Sequence, residues 1–460
     1  MATTGLLKPT LHIEILLTSC KLPPATVQDV CTTIKQFLYD NYVALKVNHE
    51  ISGYEKAACA AAIERVDIAD YTGPPKDAGY YNIDEVQLDI VTYALKLNEE
   101  GRPRRRISQT EDQSNVPQAR ILPLPHVALK DEWNSLIYDE ALPSQLLRYL
   151  NRMLGVMKQP GLNLSTFNWN RLCLLHGPPG SGKSTLCRAL AQKLSIRLSG
   201  TFAQAVLVEV NTNAMLSKYF GESGKLIGNL FEKIYGMAQS STTLICVVMD
   251  EVETIAGSRE KANAGGECSD GIRATNQLLT ALDRLRALPN IIVLCTSNLL
   301  TAIDPAFLDR VDIKQLIPSP SPSAIYNIFR SCLNELVRAS LIDLAAVPVV
   351  ARSSHGSSPS RASEQSLPSS SEQWTMLEPP SIATLAEMHI AYYDQPQAAC
   401  RRVWALAQKC EGFSGRTLRR LPILGLAMWT WGGNCSLDDA VTALEAAVDQ
   451  ELLAKQARKV

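Results

Sequence analysis

The chain has 460 residues, enough for two or three domains, and its 46% hydrophobic and 20% charged residues are ordinary for a folded globular protein. A formal net charge of -1 supplies no global basic field, which argues against nucleic acid or an acidic membrane surface as the main partner. No stretch approaches 18 uninterrupted apolar residues and the N-terminus lacks a charged region ahead of an apolar run, so neither a membrane span nor secretion is expected. The 12 cysteines include no Cys-x-x-Cys pair, and the histidines His12, His49, His126, His176, His355 and His389 share no ligand spacing. Reduced thiols and no structural metal are the expectation.

The first predicted element is "TLHIEILL", where Leu11, Ile13, Ile15 and Leu17 alternate with His12 and Glu14 as in a half-buried strand. Residues 26–38 read as a helix, and "NYVALKVN" and "EVQLDIVTYAL" as further strands. Residues 1–97 are thus an α+β module without a catalytic motif, suited to binding. A linker is assigned to 98–132, because "NEEGRPRRRISQTEDQSNVPQAR" is polar and lacks apolar periodicity. Its cluster Arg102, Arg104, Arg105 and Arg106 reads as solvated linker, with a nuclear-import or phosphate-binding patch as the alternative.

From Trp133 to about residue 320, apolar strands of five or six residues alternate with helical patterns, which predicts an α/β fold with a parallel sheet covered by helices. Residues 321–460 read as helical, with a Ser/Pro-rich insertion at about 345–378. Its centre, "ARSSHGSSPSRASEQSLPSSSEQ", cannot bury enough apolar surface to offset its ordering entropy, so it is expected to be disordered and a candidate phosphorylation target.

The chemistry-bearing motifs lie in the α/β region. "RLCLLHGPPGSGKSTLCRALAQKL" is an apolar strand, a Gly-rich loop and a helix. The run Gly177, Pro178, Pro179, Gly180, Ser181, Gly182, Lys183, Ser184, Thr185 fits a P-loop, in which backbone N–H groups and a helix N-terminus cradle phosphates. Lys183 supplies a charge to the outer phosphates of ATP and the Ser184 hydroxyl a ligand to Mg²⁺. "TLICVVMDEVE" is an apolar strand ending in Asp250, placed to orient the metal, and Glu251, placed to polarise an attacking water. Two acids in a surface turn would be the plain alternative. After a P-loop it loses weight, because the strand delivers both groups to the sheet's carboxyl edge.

"IIVLCTSN" is a third apolar strand ending in Asn298, whose amide can hold the same water or sense the terminal phosphate; an N-cap of the next helix is the alternative. Arg310, in "DPAFLDRVDIK", stands where an arginine finger would reach a neighbouring subunit's phosphate. Arg416 follows Ser414-Gly415 at an apparent helix start, where a cation opposes the helix dipole and so suggests an anionic partner. Finally, "SKYFGESGK" sets Tyr219 beside Phe220 in a polar run, and one packed face cannot easily bury both rings. Either one ring tucks under a loop or both form an exposed gripping surface.

This ordered set resembles an AAA+ ATPase. More closely, "LLHGPPGSGKSTLCRALAQKLSIRLS", "SKYFGESGKL", "DEVETI", "SDGIRATNQLLTALD", "DPAFLDRVDIKQ" and "EGFSGRTLRRLP" resemble the pachytene checkpoint protein 2 homologue family, from about Trp133 to Val448. The resemblance implies an AAA+ core with a helical lid and an N-terminal binding domain. It also implies a ring, a hexamer, that spends ATP on remodelling HORMA-domain proteins, with catalytic Glu251, Asn298, Arg310 and Arg416.

By the same resemblance Lys218, Tyr219 and Phe220 form a pore loop that grips substrate peptide, and residues 257–272 a second one. A checkpoint adaptor, action in the spindle checkpoint or on meiotic chromosome axes, and residence in nucleus and cytoplasm follow from the family alone. One departure is that many relatives place two arginines around Pro-Gly in the finger region, whereas Arg310 here precedes Val311-Asp312; Arg273 is a second candidate for the intersubunit contact. A nucleic-acid motor would want a basic groove, and a small-molecule kinase has no use for Glu251, a finger and a lid arginine together. A microtubule-severing ring is disfavoured by the N-terminal module. A scaffold with a dead ATPase is disfavoured because each catalytic position carries a competent residue.

Overall fold

The computed structural model describes residues 8–57, 59–74, 79–97, 118–139, 141–157, 159, 166, 169–215, 222–257, 268–344 and 382–457. They fall into two compact units, divided after Pro318.

The first unit holds an N-terminal four-stranded sheet and a six-stranded sheet, with a separate two-stranded pair, Ala44–Lys46 against Tyr80–Asn82, in its N-terminal part. In that part, β1 (Thr10–Leu17) is followed by α1 (Pro24–Asn41), β2 (Ala44–Lys46), β3 (His49–Glu50), β4 (Ile63–Tyr71), β5 (Tyr80–Asn82) and β6 (Gln87–Tyr93). The sheet order is β3-β4-β1-β6, with β1 antiparallel to β4 and parallel to β6. Pro at the first turn of α1 presets its backbone angle, and Val30, Ile34 and Leu38, at helical spacing, bury one face against Leu11, Ile13 and Ile15. The alternation read from "TLHIEILL" is therefore incomplete. Leu11, Ile13, Ile15 and Leu17 face this core as expected, but Glu14 is 1% exposed rather than solvated.

The second sheet has the order β12-β8-β11-β10-β9-β7. Its strands are β7 (Ala119–Leu124), β8 (Leu172–His176), β9 (Gln204–Val210), β10 (Thr243–Met249), β11 (Ile291–Ser297) and β12 (Ile313–Leu316), all parallel except β7, which runs antiparallel to β9. The expected parallel sheet covered by helices is present. β7 lies in the stretch read as linker. Its two-sided burial comes from only six residues, and Pro123 is tolerated because the strand is at the sheet edge. The remainder of the linker's polar run, with its arginine cluster, falls outside the described residues.

Strands β10 and β11 are buried along nearly their whole length, as central parallel strands covered on both faces must be. The helices Glu222–Ala238 and Cys268–Leu285 cover one face through Ile227, Leu230, Ile234, Leu278 and Leu282. α2 (Leu142–Met157) and α3 (Lys183–Arg197) cover the other. α3 is buried on most sides, including Cys187, Gln192 and Ser195, because the N-terminal sheet covers the face turned away from the large sheet. Cys173, Cys187, Cys246 and Cys295 are free thiols in this interior, and burial pushes those of Cys173 and Cys246 up to about 12.

The second unit is helical: Pro322–Arg338, Leu385–Ala391, Ala399–Lys409, Gly415–Trp429 and Leu437–Ala457, with Ile342–Asp343 paired to Cys435–Ser436. Two of its helix starts are capped by Ser321 accepting from Ala324 N–H and by Thr384 in a reciprocal capping box with Glu387, whereas Ala398 gives the Ala399–Lys409 helix no side-chain cap. The last two helices touch at Gly425, where a Cβ would lie 2.9 Å from the Ala443 carbonyl oxygen. The Ser/Pro-rich insertion lies outside the described residues.

Candidate functional site

β8 ends at His176, and the chain turns through the Gly-rich loop into α3. Gly177, Gly180 and Gly182 all take positive φ, at 146°, 74° and 90°. A Cβ on Gly177 would stand 2.1 Å from the Ile317 carbonyl oxygen, and one on Gly182 would stand 2.9 Å from the Tyr138 hydroxyl. The loop therefore passes too close to its walls for side chains, and what it offers is backbone N–H groups at the start of a 15-residue helix. That chemistry fits a phosphate chain. Gly177→Ala is expected to abolish nucleotide binding, measured with a fluorescent ATP analogue, because the added methyl overlaps fixed backbone.

Lys183 opens α3, and its ammonium donates to the carbonyls of Gly177 and Pro178 at 2.9 and 2.8 Å. Burial pulls its pKa below the ordinary lysine range, while the carboxylates of Glu253, Asp250 and Glu251 act in the opposite direction. These four groups converge at the sheet's carboxyl edge. Ser181, Ser184 and Thr185 are half-buried in the loop and first turn, and Pro178 and Pro179 are exposed at its rim.

Asp250 and Glu251 follow β10. Asp250 Oδ1 accepts from the Thr296 hydroxyl at 2.8 Å, and its backbone oxygen accepts from Thr212 Oγ1 at 2.9 Å. Glu251 sits in the left-handed region at φ 52°, ψ 51°, a conformation costing a non-glycine residue about 1–2 kcal/mol. The Glu251 N–H to Thr296 Oγ1 contact, 3.2 Å, and the Thr254 hydroxyl on the Glu251 carbonyl, 2.9 Å, hold it there. This turn leaves Glu251 exposed at the strand end. Thr296, whose hydroxyl touches both acids, was visible in "LCTSN" only as a neighbour of Asn298.

Asn298, exposed at the end of β11, does not cap the next helix; the 3₁₀ turn Leu300–Ala302 begins at Leu299 with no side-chain cap. Its N–H instead donates to Glu253 Oε1 at 2.9 Å. Arg310 closes the short helix Pro305–Asp309, itself capped by Asp304. A two-pronged pair with Asp283, Nε to Oδ1 and Nη2 to Oδ2 both at 2.8 Å, fixes the guanidinium, and Nη1 donates to the Ala306 carbonyl. Asp283 holds the Arg310 pKa above its usual range and is itself lowered by the same bonds. Arg273 is exposed on the Cys268–Leu285 helix.

Beneath the finger segment, Arg171 is buried at φ 58° and donates to the carbonyls of Leu285 and Arg286. Asp312 beside it accepts the N–H groups of Asn170 and Leu172. Arg416 belongs to the second unit, exposed in the first turn of a helix whose cap, Ser414, accepts from Thr417 N–H at 3.1 Å. Lys218, Tyr219 and Phe220 lie outside the described residues, as does most of the second Gly-rich segment at 258–267.

The far end of α3 carries a set of residues that periodicity did not single out. Lys193 pairs with Glu14; Arg197 Nη1 lies 3.2 Å from Asp70 Oδ2, and its Nε lies 3.8 Å from Glu14 Oε1. Arg148 adds a contact to Asp70 at 3.6 Å. The side chains of Arg197, Glu14 and Asp70 are 3%, 1% and 6% exposed, so the charges compensate one another in a desolvated interface between the two sheets. Gln192 completes it by exchanging two hydrogen bonds with the His126 backbone, at 2.8 and 3.0 Å.

Three family models match consecutive parts of the chain: the TRIP13 N-terminal domain over 6–98, the ATPase family associated with various cellular activities (AAA) over 173–319, and the TRIP13-like AAA+ ATPase lid C-terminal domain over 321–452. The zebrafish pachytene checkpoint protein 2 homolog is 34% identical over 98% of this chain and 96% of its own length. The human one is 31% identical over 96% of this chain and 93% of its own. The solved structure of C. elegans PCH-2 superimposes with a TM-score of 0.68 at 25% identity, covering 96% of this chain and 99% of that one. With a phosphate-binding loop, paired carboxylates and these matches running the length of the sequence, the chain belongs to the pachytene checkpoint protein 2 homologue family of AAA ATPases.

Proposed function

We propose that this ATPase is a hexameric ring that uses ATP to remodel HORMA-domain proteins, aided by a checkpoint adaptor, in spindle-checkpoint disassembly or on meiotic chromosome axes. It would act in nucleus and cytoplasm and associate with chromosomes in meiosis. The observation that carries the reading is that the glycine loop with Lys183 follows β8 and Asp250 and Glu251 follow β10, so that all stand at the same edge of one parallel sheet, in a chain matched along its length by one family.

The N–H groups of Gly180, Ser181 and Gly182 and the start of α3 bind the phosphates, and Lys183 exchanges two loop carbonyls for phosphate oxygens. Ser184 and Asp250 are the residues to hold Mg²⁺, which when bound neutralises charge on the outer phosphates. Glu251 takes a proton from the attacking water, and Asn298 fixes that water's position. Arg310, released from Asp283, or Arg273 serves a neighbour's site, and Arg416 is the catalytic arginine that the family resemblance assigns to the helical lid. Lys218, Tyr219 and Phe220 then grip an extended peptide, flat rings giving sequence-tolerant contact at small entropy cost.

The test is ATP hydrolysis with and without a closed-state HORMA protein plus adaptor, together with conversion of that HORMA protein to its open form. Stimulated hydrolysis and conversion are expected, with Tyr219→Ala/Phe220→Ala retaining basal hydrolysis and losing conversion. Hydrolysis indifferent to HORMA proteins, or conversion surviving the double substitution, would overturn the reading.

A further inference from the structure

The ends of β10 and β11 are joined twice. Thr296 on β11 bonds Asp250 and the Glu251 N–H, and one turn later Glu253 bonds the N–H of Asn298. The second link depends on the left-handed backbone at Glu251, after which Val252–Thr254 forms a single 3₁₀ turn. That reversal directs the two glutamates oppositely. Glu251 is exposed, whereas Glu253 Oε2 is shielded from solvent with no hydrogen-bond partner among the described residues.

A half-satisfied buried carboxylate is costly, and an acid serving only solubility would not be turned inward against β11.

We propose that Glu253 is a positioning residue for ATP hydrolysis, its Oε1 anchoring the Asn298 N–H so that the Asn298 amide stands beside Glu251 at the mouth of the phosphate loop. The proposal rests on the reading of Asn298 as the water-holding amide. Glu253 touches neither nucleotide nor water; it acts through the β11 end. An acceptor is what this role needs, and glutamine supplies one as well as glutamate does.

The experiment compares the full chain with Glu253→Ala, Asn298→Ala, the double variant and Glu253→Gln, reading kcat, KM for ATP and the affinity of a fluorescent ATP analogue. Glu253→Ala and Asn298→Ala are each expected to lower kcat about 10- to 100-fold with analogue affinity held within about threefold. The double variant is expected to be no slower than Asn298→Ala, since both remove one action. Glu253→Gln is expected to recover kcat to within about fivefold of the parent, and it remains informative if the alanine variant misfolds.

Multiplying losses in the double variant, an Asn298→Ala chain as fast as the parent, or a glutamine variant as slow as alanine would each overturn the proposal. A parent chain that hydrolyses ATP but ignores HORMA proteins fails the remodelling reading alone and leaves this one standing.

Discussion

Glu251→Gln is expected to bind ATP as tightly as the parent chain and to hydrolyse it at least about 100-fold more slowly. The substitution keeps size and hydrogen-bonding capacity but removes the basic oxygen. Among the described residues, nothing that holds residue 251 in place uses its side chain: the contacts run through its N–H to Thr296 and its carbonyl to Thr254. The left-handed turn, Asp250 and Lys183 are therefore undisturbed, and binding and hydrolysis separate cleanly. Single-turnover hydrolysis beside equilibrium binding of labelled ATP makes the measurement. A variant that loses both together would place Glu251 in nucleotide binding, and one that loses neither would move the base elsewhere.

Arg197→Met is expected to destabilise the first unit by about 3–5 kcal/mol, although it is far along α3 from the phosphate loop. Methionine fills much of the space but, among the described residues, leaves the buried Asp70 with only the part-exposed Arg148 at 3.6 Å and the buried Glu14 with only Lys193. The penalty comes chiefly from the stranded carboxylates, not from the attraction lost. Adding Asp70→Leu to Arg197→Met is therefore expected to restore part of the loss. Urea denaturation, with hydrogen exchange followed along β1 and α3, distinguishes this from a uniform effect. Equal destabilisation in single and double variants would show that the charges do not compensate one another.

The parts legible in the sequence are those whose determinants are local. The glycine loop, the carboxylates closing β10 and the amide closing β11 each follow an apolar run a few residues long, and the alternation of such runs with helical patterns indicated a covered parallel sheet. What escaped is decided by partners far along the chain. Glu14 looks like the polar phase of a half-buried strand because Lys193, which accounts for its burial, comes 179 residues later. β7 was absorbed into a linker because six residues with a proline carry little periodicity, and its place is set by pairing with β9. Glu253 sat in plain view within "DEVETI", but its inward turn comes from the backbone angle at Glu251, which favours glycine and leaves no mark on composition. Asp283 was unreadable as the holder of Arg310 for the same reason of distance.

α3 begins at the glycine loop and ends among Glu14 and Asp70, and at 15 residues it is about 22 Å long. It behaves as a lever arm with a load at each end. A tilt of a few degrees at the phosphates displaces the other end by an ångström or more, and the ionic contacts there do not slip, because sliding would strand charges without water. The N-terminal sheet is thus fastened by buried charges to the same helix whose first turn closes the phosphate loop.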